Sequence, residues 1–445
     1  MNSNKKLEPV KKNGCLSGEV FVPPDKSIAQ RAAILSSIAE GESLIKNFPN
    51  SGDPQTTLRV IQQLGVKIED KSWTQEGNLN LVIKGNGTHG LTEPTDVLNC
   101  GNSGTCLRFM LGVLASNPNI KYTVMSGDQS LRKRPMKRVV APLKELGANI
   151  LGRNDNRLAP LTVVGKELNG GFIENKIASA QLKSALLLAG LNAKNSLTIE
   201  EPAISRNHTE IMLASYGANI QRISDLSVQV LPSSLMGCEV VIPGDISCAA
   251  FIITAALLVP NSRVKIRNVG LNPTRTGFLE ILQRMGGKLI IKQKNADSTK
   301  EIIGDIEASF SEMKGIEIAG SIIPNIIDEL PILSLAAAQA TGTTIIKGAS
   351  ELRVKESDRL KAMFDLLSKL GVRVIEEEDG LIIEGRGGKP FEPNGDIFYA
   401  NHDHRIAMTS RIGSLISTKG IELDGSEWAD VSFPGFYDTI ENLIH

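Results

Sequence analysis

Positively charged residues stand near the start of small apolar helices in this chain, where their charge is unfavourable. The first such segment, "DKSIAQRAAILSSIAEG", has Lys26 and Arg31 within or just before its first two turns. The start of a helix carries a positive partial charge, so a cation there lies against the field. Either an acidic side chain of the protein compensates, or the position binds an anion. An apolar stripe and a terminating glycine predict the helix: Ile28, Ala32, Leu35, Ala39 and Gly41.

Further segments begin with comparable polar heads. Helix starts that carry Ser, Thr, Asn or Gly offer free backbone N–H groups, which bind anions. A single cation at such a place is commonly solvated, but its repetition in several buried-looking helices predicts that the heads converge on an anion. Besides Lys26, Ser27 and Arg31, the residues at these heads are Asn102, Ser103, Gly104, Thr105, Arg108, Ser179, Gln181, Lys183, Asp328, Glu329, Asp403, His404 and Arg405.

Two further runs are dense in charge. The first is "GDQSLRKRPMKR", which contains Arg134, and the second is "ELRVKESDRL", which contains Lys355, Glu356 and Arg359. Taken alone, each run is typical of a solvated loop or helix face. The runs therefore gain a chemical meaning only if the fold brings them to the helix heads.

Composition excludes several classes of partner. Lys plus Arg and Asp plus Glu both number 49, which argues against nucleic acid or an anionic membrane as the main partner. No apolar run approaches the ~18 residues of a membrane span, and the N-terminus has no apolar signal segment. The five Cys form no CxxC pair, as expected for reduced thiols in a cytoplasmic protein. His402 and His404 could form a metal pair, but no third ligand cluster accompanies them, so we expect no metal.

The elements that must position these residues repeat along the chain. Six segments combine a polar head, an apolar helix and a short strand, and between them lies a second helix that ends at a glycine, as in "LRVIQQLGVKIE". The repeat is about 75 residues long and is interpreted as six copies of a small α/β module. The first helix of each copy is apolar nearly all round, which predicts burial on all sides. Three copies with helices inside and strands outside would form one domain, and the change of domain is placed near Ile246.

Ten motifs occur in the order typical of one enzyme family. They are "DKSIAQRA", "GNSGTCLRF", "SLRKRPM", "SAQLKSALLLAGL", "ISRNHTE", "PGDISCAAF", "LNPTRTG", "PNIIDELPIL", "LRVKESDRL" and "DHRIAM". Together they resemble the 5-enolpyruvylshikimate-3-phosphate synthases, which are enolpyruvyl transferases. The match runs from about Val20 to Phe436.

The resemblance implies a fold, a reaction and partners. The fold is a two-domain inside-out α/β barrel, each domain three βαβαββ repeats with buried helices and outer sheets. Residues 1–24 would form an N-terminal strand that returns to the second domain, 25–245 the first domain and 246–445 the second. The reaction moves the enolpyruvyl group of phosphoenolpyruvate to the 5-hydroxyl of shikimate 3-phosphate and releases phosphate, without a cofactor. We expect a monomer whose domains close when these anions bind.

Motif by motif, the resemblance also implies residue roles. Asp328 would be the base for the 5-hydroxyl, Glu356 the acid that protonates the methylene carbon, and Lys26 a catalytic lysine shared by both substrates. The ligands of shikimate 3-phosphate would be Lys26, Ser27, Arg31, Ser179, Gln181, Ser205, Asp328 and Lys355. Those of phosphoenolpyruvate would be Lys26, Asn102, Gly104, Arg134, Gln181, Arg359 and Arg405.

Three departures from the family pattern and two alternatives stay open. The family usually has Pro-Gly where this chain has Pro23-Pro24, and one branch has Tyr at His208 and Lys at Val431. One alternative is the sister enzyme, UDP-N-acetylglucosamine enolpyruvyl transferase, which carries a Cys in the loop corresponding to "GDQSLRKRP". The other is a non-catalytic repeat scaffold that binds anions.

Overall fold

The computed structural model describes residues 4–11, 13–74, 77–295, 300–395 and 397–445. It divides into two compact units. The N-terminal unit consists of Pro24–Pro243 with Asp297–Glu301, and the C-terminal unit of Met1–Pro23, Gly244–Ala296 and Ile302–His445. The division thus falls one or two residues from the expected boundaries after residues 24 and 245. It differs from them in assigning 297–301 to the N-terminal unit.

The N-terminal half of the chain contributes fifteen strands. They are β1 Lys5–Leu7, β2 Ser17–Phe21, β3 Ala39–Phe48, β4 Lys67–Trp73, β5 Leu79–Asn86, β6 Leu98–Asn99, β7 Thr123–Ser126, β8 Asn149–Gly152, β9 Leu158–Val164, β10 Gly171–Glu174, β11 Leu197–Glu200, β12 Ile220–Arg222, β13 Ser227–Val230, β14 Leu235–Met236 and β15 Glu239–Val241.

The C-terminal half adds nine strands. They are β16 Arg263–Gly270, β17 Lys288–Gln293, β18 Ile303–Ser309, β19 Glu317–Ile318, β20 Thr343–Ile346, β21 Arg373–Glu376, β22 Leu381–Glu384, β23 Ile397–Tyr399 and β24 Ile421–Asp424.

The described residues also form fourteen α-helical segments, of which the last follows β24. They are α1 Lys26–Ser37, α2 Gly52–Gln63, α3 Gly104–Ala115, α4 Lys137–Glu145, α5 Arg153–Asn156, α6 Ala180–Gly190, α7 His208–Ser215, α8 Ile246–Leu258, α9 Gly277–Arg284, α10 Ile323–Ile326, α11 Leu330–Gln339, α12 Arg359–Lys369, α13 His404–Leu415 and α14 Phe436–Glu441. Short 3₁₀ segments are Leu131–Lys133, Gly320–Ile322, Ser350–Val354 and Ser426–Val431.

Five of the six sheets of the described residues share one topology, which confirms the repeat. In each of the five, the two central strands are antiparallel to each other, one outer strand is parallel to its central neighbour and the other outer strand is antiparallel to its own. The sixth sheet has three strands, with β23 parallel to β24 and β24 antiparallel to β1. The orders are β15–β3–β5–β4, β6–β7–β9–β8 and β10–β11–β13–β12 in the N-terminal unit, with β14 also beside β3. In the C-terminal unit they are β2–β16–β18–β17, β19–β20–β22–β21 and the three-stranded β23–β24–β1. Each unit therefore contains three sheets.

The N-terminal segment forms two strands where the sequence analysis expected one. β2 runs parallel to β16, and β1 runs antiparallel to β24 at the edge of the last sheet. Both pairings lie within the C-terminal unit. Residues 1–3 and 12 of the expected segment lie outside the described residues.

The first helix of each repeat is buried, as its composition predicts. Every residue of α8 and α11 is buried, and so is every residue of α3 except Thr105. The second helices end as expected at glycines with positive φ, a conformation that favours a residue without a side chain. These glycines are Gly65, Gly147, Gly217, Gly286 and Gly371.

The predicted end of α1 is wrong. The helix stops at Ser37, and Ala39 and Gly41 belong to β3, where Ala39 pairs with Leu235 of β14 and Gly41 with Gly85 of β5. A Cβ on Gly85 of β5 would lie 2.2 Å from the Ala39 carbonyl oxygen, so this glycine lets the strand reach the end of the helix. Pairing with a neighbouring strand thus overrides the local helical pattern.

Within the described residues, no single helix has the length and hydropathy to cross a membrane, although the bent helix pair Gly320–Ile326 and Leu330–Gln339 together has both. The same part of the chain holds no group of three or more His, Cys, Asp or Glu side chains able to bind a metal ion.

Candidate active site

The head of α1 supplies its own acid. The Asp25 carboxylate caps the helix by accepting hydrogen bonds from the N–H groups of Ser27 and Ile28, both at 2.8 Å. Lys26 Nζ lies 3.2 Å from Asp53 Oδ2 on α2, and the Lys26 side chain keeps 27% of its exposure. The charge that the sequence left unexplained is therefore partly balanced within the chain, while the ammonium stays accessible.

Arg31 is held as a fixed, buried cation. Its Nε donates to Thr209 Oγ1 at 2.7 Å, and its terminal nitrogens donate to the Ser27 carbonyl at 3.0 Å and to Ser184 Oγ at 3.3 Å. The guanidinium carbon also lies 4.7 Å from the centre of the Phe109 ring. Such contacts orient a guanidinium without cancelling its charge.

The head of α3 carries an arginine beside a glycine. Ser103 caps the helix. Arg134 donates to the side-chain oxygen of Asn102 at 2.7 Å and to the backbone carbonyl oxygen of Asn102 at 3.3 Å. A Cβ on Gly104 would lie 2.9 Å from Arg108 Nη1 and 3.4 Å from Arg134 Nη1. Only a residue without a side chain leaves these two guanidinium groups where they are.

Gln181 connects the heads of α3 and α6. Ser179 caps α6, and two positions later the Gln181 amide accepts from Arg108 at 2.5 Å and donates to Thr105 Oγ1 at 3.0 Å. The structure thus brings together predicted residues from two repeats. Arg108 and Thr105, which were also among the predicted head residues, form hydrogen bonds with Gln181.

Lys183 does not face an open anion position. Its Nζ lies 2.6 Å from Glu201 Oε2 and 2.7 Å from Glu210 Oε1, and its side chain is 6% exposed. Glu201 also accepts a hydrogen bond of 2.6 Å from the hydroxyl of Ser205. The grouping of Lys183 with the anion-facing residues of the helix heads is therefore wrong, because acidic side chains from two other elements compensate it.

His208, one of the departures from the family pattern, has an acidic partner. The residue is the first of α7 and is buried, and its Nδ1 lies 2.7 Å from Glu301 Oε1. Glu301 belongs to the short segment that the structure assigns to the N-terminal unit.

In the C-terminal unit, one buried guanidinium gathers three carboxylates. Arg359 Nε donates to Asp403 Oδ2 at 2.8 Å, one terminal nitrogen lies 2.7 Å from Glu356 Oε2, and the other lies 3.5 Å from Asp328 Oδ1. Asp403 also accepts from the Ser357 hydroxyl at 3.0 Å. Residues from three distant motifs thus meet at Arg359, whose side chain is 1% exposed.

These contacts shift the pKa values of Arg359 and Asp403. Burial alone would lower the pKa of Arg359, but the Asp403, Glu356 and Asp328 carboxylates raise it above its usual value. Burial alone would raise the pKa of Asp403, but the Arg359 guanidinium and then His404 hold it below the usual 3.8. The pair is therefore ionised at neutral pH.

Asp328 lies just before its helix and does not head it. α11 begins at Leu330 with Glu329 at the N-cap, because Pro331 suits the first turn and has no N–H to donate. Lys355 Nζ lies 3.9 Å from Asp328 Oδ1 and 3.5 Å from Glu351. The predicted neighbours Asp328, Lys355, Glu356 and Arg359 therefore do form one cluster.

Arg405 is placed by its backbone and by a buried acid. Its N–H donates to Asp403 Oδ1 at 2.9 Å, and its guanidinium lies 3.8 Å from Glu329 Oε1. Glu329 is fully buried and accepts a hydrogen bond from Ser247, which in turn accepts one of 2.6 Å from Arg275. The head of α13 is thus linked to the head of α8.

Similarity to known proteins shows the family to which this chain belongs. A family model of EPSP synthase (3-phosphoshikimate 1-carboxyvinyltransferase) matches residues 10–440. The chain belongs to the EPSP synthase family. Two curated relatives named 3-phosphoshikimate 1-carboxyvinyltransferase are each 46% identical. That of Thermodesulfovibrio yellowstonii aligns over 98% of this chain and 99% of its own, and that of Desulforudis audaxviator over 96% and 97%.

Solved structures agree with this family. An EPSP synthase from Acinetobacter baumannii is 37% identical with a TM-score of 0.87, and the match covers 99% of both chains. The enolpyruvyl transferase NikO from Streptomyces tendae, 15% identical, matches with a TM-score of 0.78 over 100% of this chain and 99% of its own, which speaks for the fold alone. The expected fold class, family and transferase activity are confirmed over the two alternatives.

Sequence reasoning missed several residues that contact the predicted site residues. Asp53, which pairs with Lys26, stands in no pattern that pointed to it, and Ser357, which donates to Asp403, lies in the motif "LRVKESDRL" but was given no role. Glu201 likewise follows a strand without any motif. The alternating charges of "ELRVKESDRL" were a usable signal, because the run places Arg353 where it bonds Glu376 at 2.8 Å and Asp358 at 3.0 Å.

Proposed function

We propose that Asp328 and Glu356 move the protons in the reaction that this chain catalyses. As a member of the EPSP synthase family, the chain transfers the enolpyruvyl group of phosphoenolpyruvate to the 5-hydroxyl of shikimate 3-phosphate and releases phosphate. The residue roles are our proposal, and the observation that carries them is the meeting of both carboxylates at the Arg359 guanidinium.

The reaction needs one proton removed and one delivered in its addition step. Asp328 accepts the proton of the 5-hydroxyl group while the oxygen of that hydroxyl group bonds to C2 of phosphoenolpyruvate. Glu356 gives a proton to the methylene carbon C3, which becomes a methyl group. Loss of phosphate and of one methyl proton then restores the double bond. Lys26, as a cation near the reacting groups, stabilises the negative charge that develops.

Cations and helix heads suit the two anionic substrates. Arginine binds phosphate and carboxylate through paired hydrogen bonds, and helix starts add N–H groups. For shikimate 3-phosphate we propose Lys26, Ser27, Arg31, Ser179, Gln181, Ser205, Asp328 and Lys355. For phosphoenolpyruvate we propose Lys26, Asn102, Gly104, Arg134, Gln181, Arg359 and Arg405.

The roles of the two carboxylates are tested by isosteric variants. Asp328→Asn and Glu356→Gln keep shape but remove the acid–base function, so kcat should fall about a hundredfold or more. Affinity for shikimate 3-phosphate, measured by calorimetry, should change only a few-fold. Asp365→Asn, on the exposed Lys361–Asp365 pair, is the control and should keep normal turnover.

The outcomes separate proton transfer from positioning. Near-normal turnover in either variant would remove that carboxylate from the mechanism. If affinity collapsed together with turnover, the carboxylate would serve to hold substrate and not to transfer a proton.

We also propose a cytoplasmic monomer that binds neither nucleic acid nor membrane. The equal numbers of acidic and basic residues support this, since such partners favour a strong basic excess. Sedimentation at micromolar concentration should give the mass of one chain, 47.9 kDa. A species of twice that mass would contradict the proposal.

A further inference from the structure

Lys183 lies in a buried cluster that the proposed reaction does not use. It is the fourth residue of α6, and the loop that it contacts, residues 201–207, has no regular secondary structure. Within this loop Ser205 is the proposed ligand of shikimate 3-phosphate. The inference below therefore rests on the proposed function.

Lys183 fastens both ends of that loop. Glu201, which follows β11, lies 2.6 Å from its Nζ, and Glu210 on α7 lies 2.7 Å away. Because all three side chains are at most 17% exposed, water screens these charges weakly. A single ammonium thus holds the strand before the loop and the helix after it to α6.

Two contacts then reach Ser205 itself. Its hydroxyl donates to Glu201 Oε1 at 2.6 Å, and its carbonyl oxygen accepts from Lys183 Nζ at 3.4 Å. Ser205 is 7% exposed. Its position is therefore set by the ammonium directly and through one carboxylate.

We propose that Lys183 is a positioning residue for Ser205 and thereby sets the affinity for the phosphate group of shikimate 3-phosphate. The pairing also decides where the Ser205 hydroxyl proton goes. When Lys183 neutralises Glu201, that carboxylate competes less strongly for the hydroxyl, which can turn to donate to a phosphate oxygen. Without the ammonium, Glu201 and Glu210 leave two uncompensated negative charges beside an anion-binding residue.

The main test is Lys183→Met, which keeps the length of the side chain and removes its charge. The KM for shikimate 3-phosphate should rise at least tenfold, while kcat and the KM for phosphoenolpyruvate change less than about threefold. Calorimetry should show the same loss for shikimate 3-phosphate alone. Lys194→Met, on the exposed pair with Glu167, is the matched control and should leave all values unchanged.

A double-mutant cycle separates this role from a general loss of structure. In a Ser205→Ala background, Lys183→Met should raise the KM for shikimate 3-phosphate by less than about threefold, because the residue that it positions is already gone. Full additivity of the two substitutions would overturn the proposal. So would Lys183→Met with a normal KM for shikimate 3-phosphate.

Two further outcomes keep the test decisive. If Lys183→Met does not fold, Glu201→Gln takes its place, since it retains an acceptor for Ser205 and leaves Glu210 to pair with Lys183. The KM for shikimate 3-phosphate should then rise about three- to tenfold, and an unchanged KM would overturn the proposal. If Ser205→Ala alone has no effect, the assignment of Ser205 itself fails, whereas an effect of Ser205→Ala without one of Lys183→Met refutes only the inference about Lys183.

Discussion

The two units hold their arginines in different ways. In the N-terminal unit, Arg31 and Arg134 donate hydrogen bonds to hydroxyl, amide and carbonyl oxygens. In the C-terminal unit, Arg359 and Arg405 lie against carboxylates. A neutral oxygen orients a guanidinium and keeps its charge for a ligand, whereas a carboxylate takes part of that charge. The first arrangement leaves most of the charge for an anion, whereas the second also fixes the two carboxylates that we propose for proton transfer.

The largest expected effect on stability comes from removing a carboxylate that contacts Arg359. Asp403→Asn leaves Arg359 buried with one carboxylate fewer, and breaking a buried pair destabilises by about 3–5 kcal/mol. Thr209→Val is the matched change in the N-terminal unit, because it removes a neutral acceptor of Arg31, and should lower the free energy of unfolding by only about 1 kcal/mol. Urea unfolding followed by circular dichroism measures both. Equal losses would show that the two arrangements do not differ in energy.

The same pair makes a prediction about pH. The pKa of Asp403 is held below the usual 3.8, so its contribution to stability is present at neutral pH and disappears as the pH falls through its folded-state value. The difference in unfolding free energy between the natural chain and Asp403→Asn should therefore be constant above about pH 5 and shrink below about pH 4. A difference that already shrinks between pH 7 and pH 5 would contradict the assigned direction.

Much of the architecture could be predicted because its cause is local or repetitive. Apolar helices, glycine ends and polar heads recur, so Gly65 and Ser103 were found in their structural roles. The end of α1 was missed because pairing of Ala39 with Leu235 of β14 overrides a continuous helical stripe. The partner of Lys26 was missed for a related reason: Asp53 meets it only through tertiary packing.

A second effect should come from the loop that carries Glu356. Arg353 ties this loop to the turn between β21 and β22 by donating to the Glu377 and Glu378 carbonyls at 2.7 and 2.8 Å. Arg353→Met should lower kcat about tenfold or more, because small displacements of a reacting group are costly to catalysis. Steady-state rates check this, with Arg373→Met, on an exposed strand position, as control. An unchanged kcat would mean that the loop keeps its geometry without the arginine.

A smaller effect should come from adding a methyl group at Gly104, beside the arginines of the N-terminal unit. In Gly104→Ala the new Cβ approaches Arg108 and Arg134, and the ends of both side chains must shift by a few tenths of an ångström. The KM for phosphoenolpyruvate should rise about three- to tenfold, since hydrogen-bond strength depends on this geometry. Gly52→Ala, where nothing lies within 4 Å of the new atom, should be neutral. A larger change in the KM for shikimate 3-phosphate than for phosphoenolpyruvate would contradict the assignment of Gly104.

The smallest effect is expected for the two cysteines at the head of α3. Cys100 and Cys106 are fully buried, and their mutual hydrogen bond together with burial raises the pKa of Cys100 well above its usual value. A thiol must ionise to act as a nucleophile, so the raised pKa makes Cys100 unsuited to chemistry, while burial shields Cys106 from a substrate. Changing both to Ala should keep kcat within a few-fold, provided that circular dichroism shows an intact fold. A loss on the order of a thousandfold would instead indicate a reactive thiol at the head of α3. The contrast between the two units would then fail, because covalent chemistry would belong to the unit whose arginines donate to neutral oxygens.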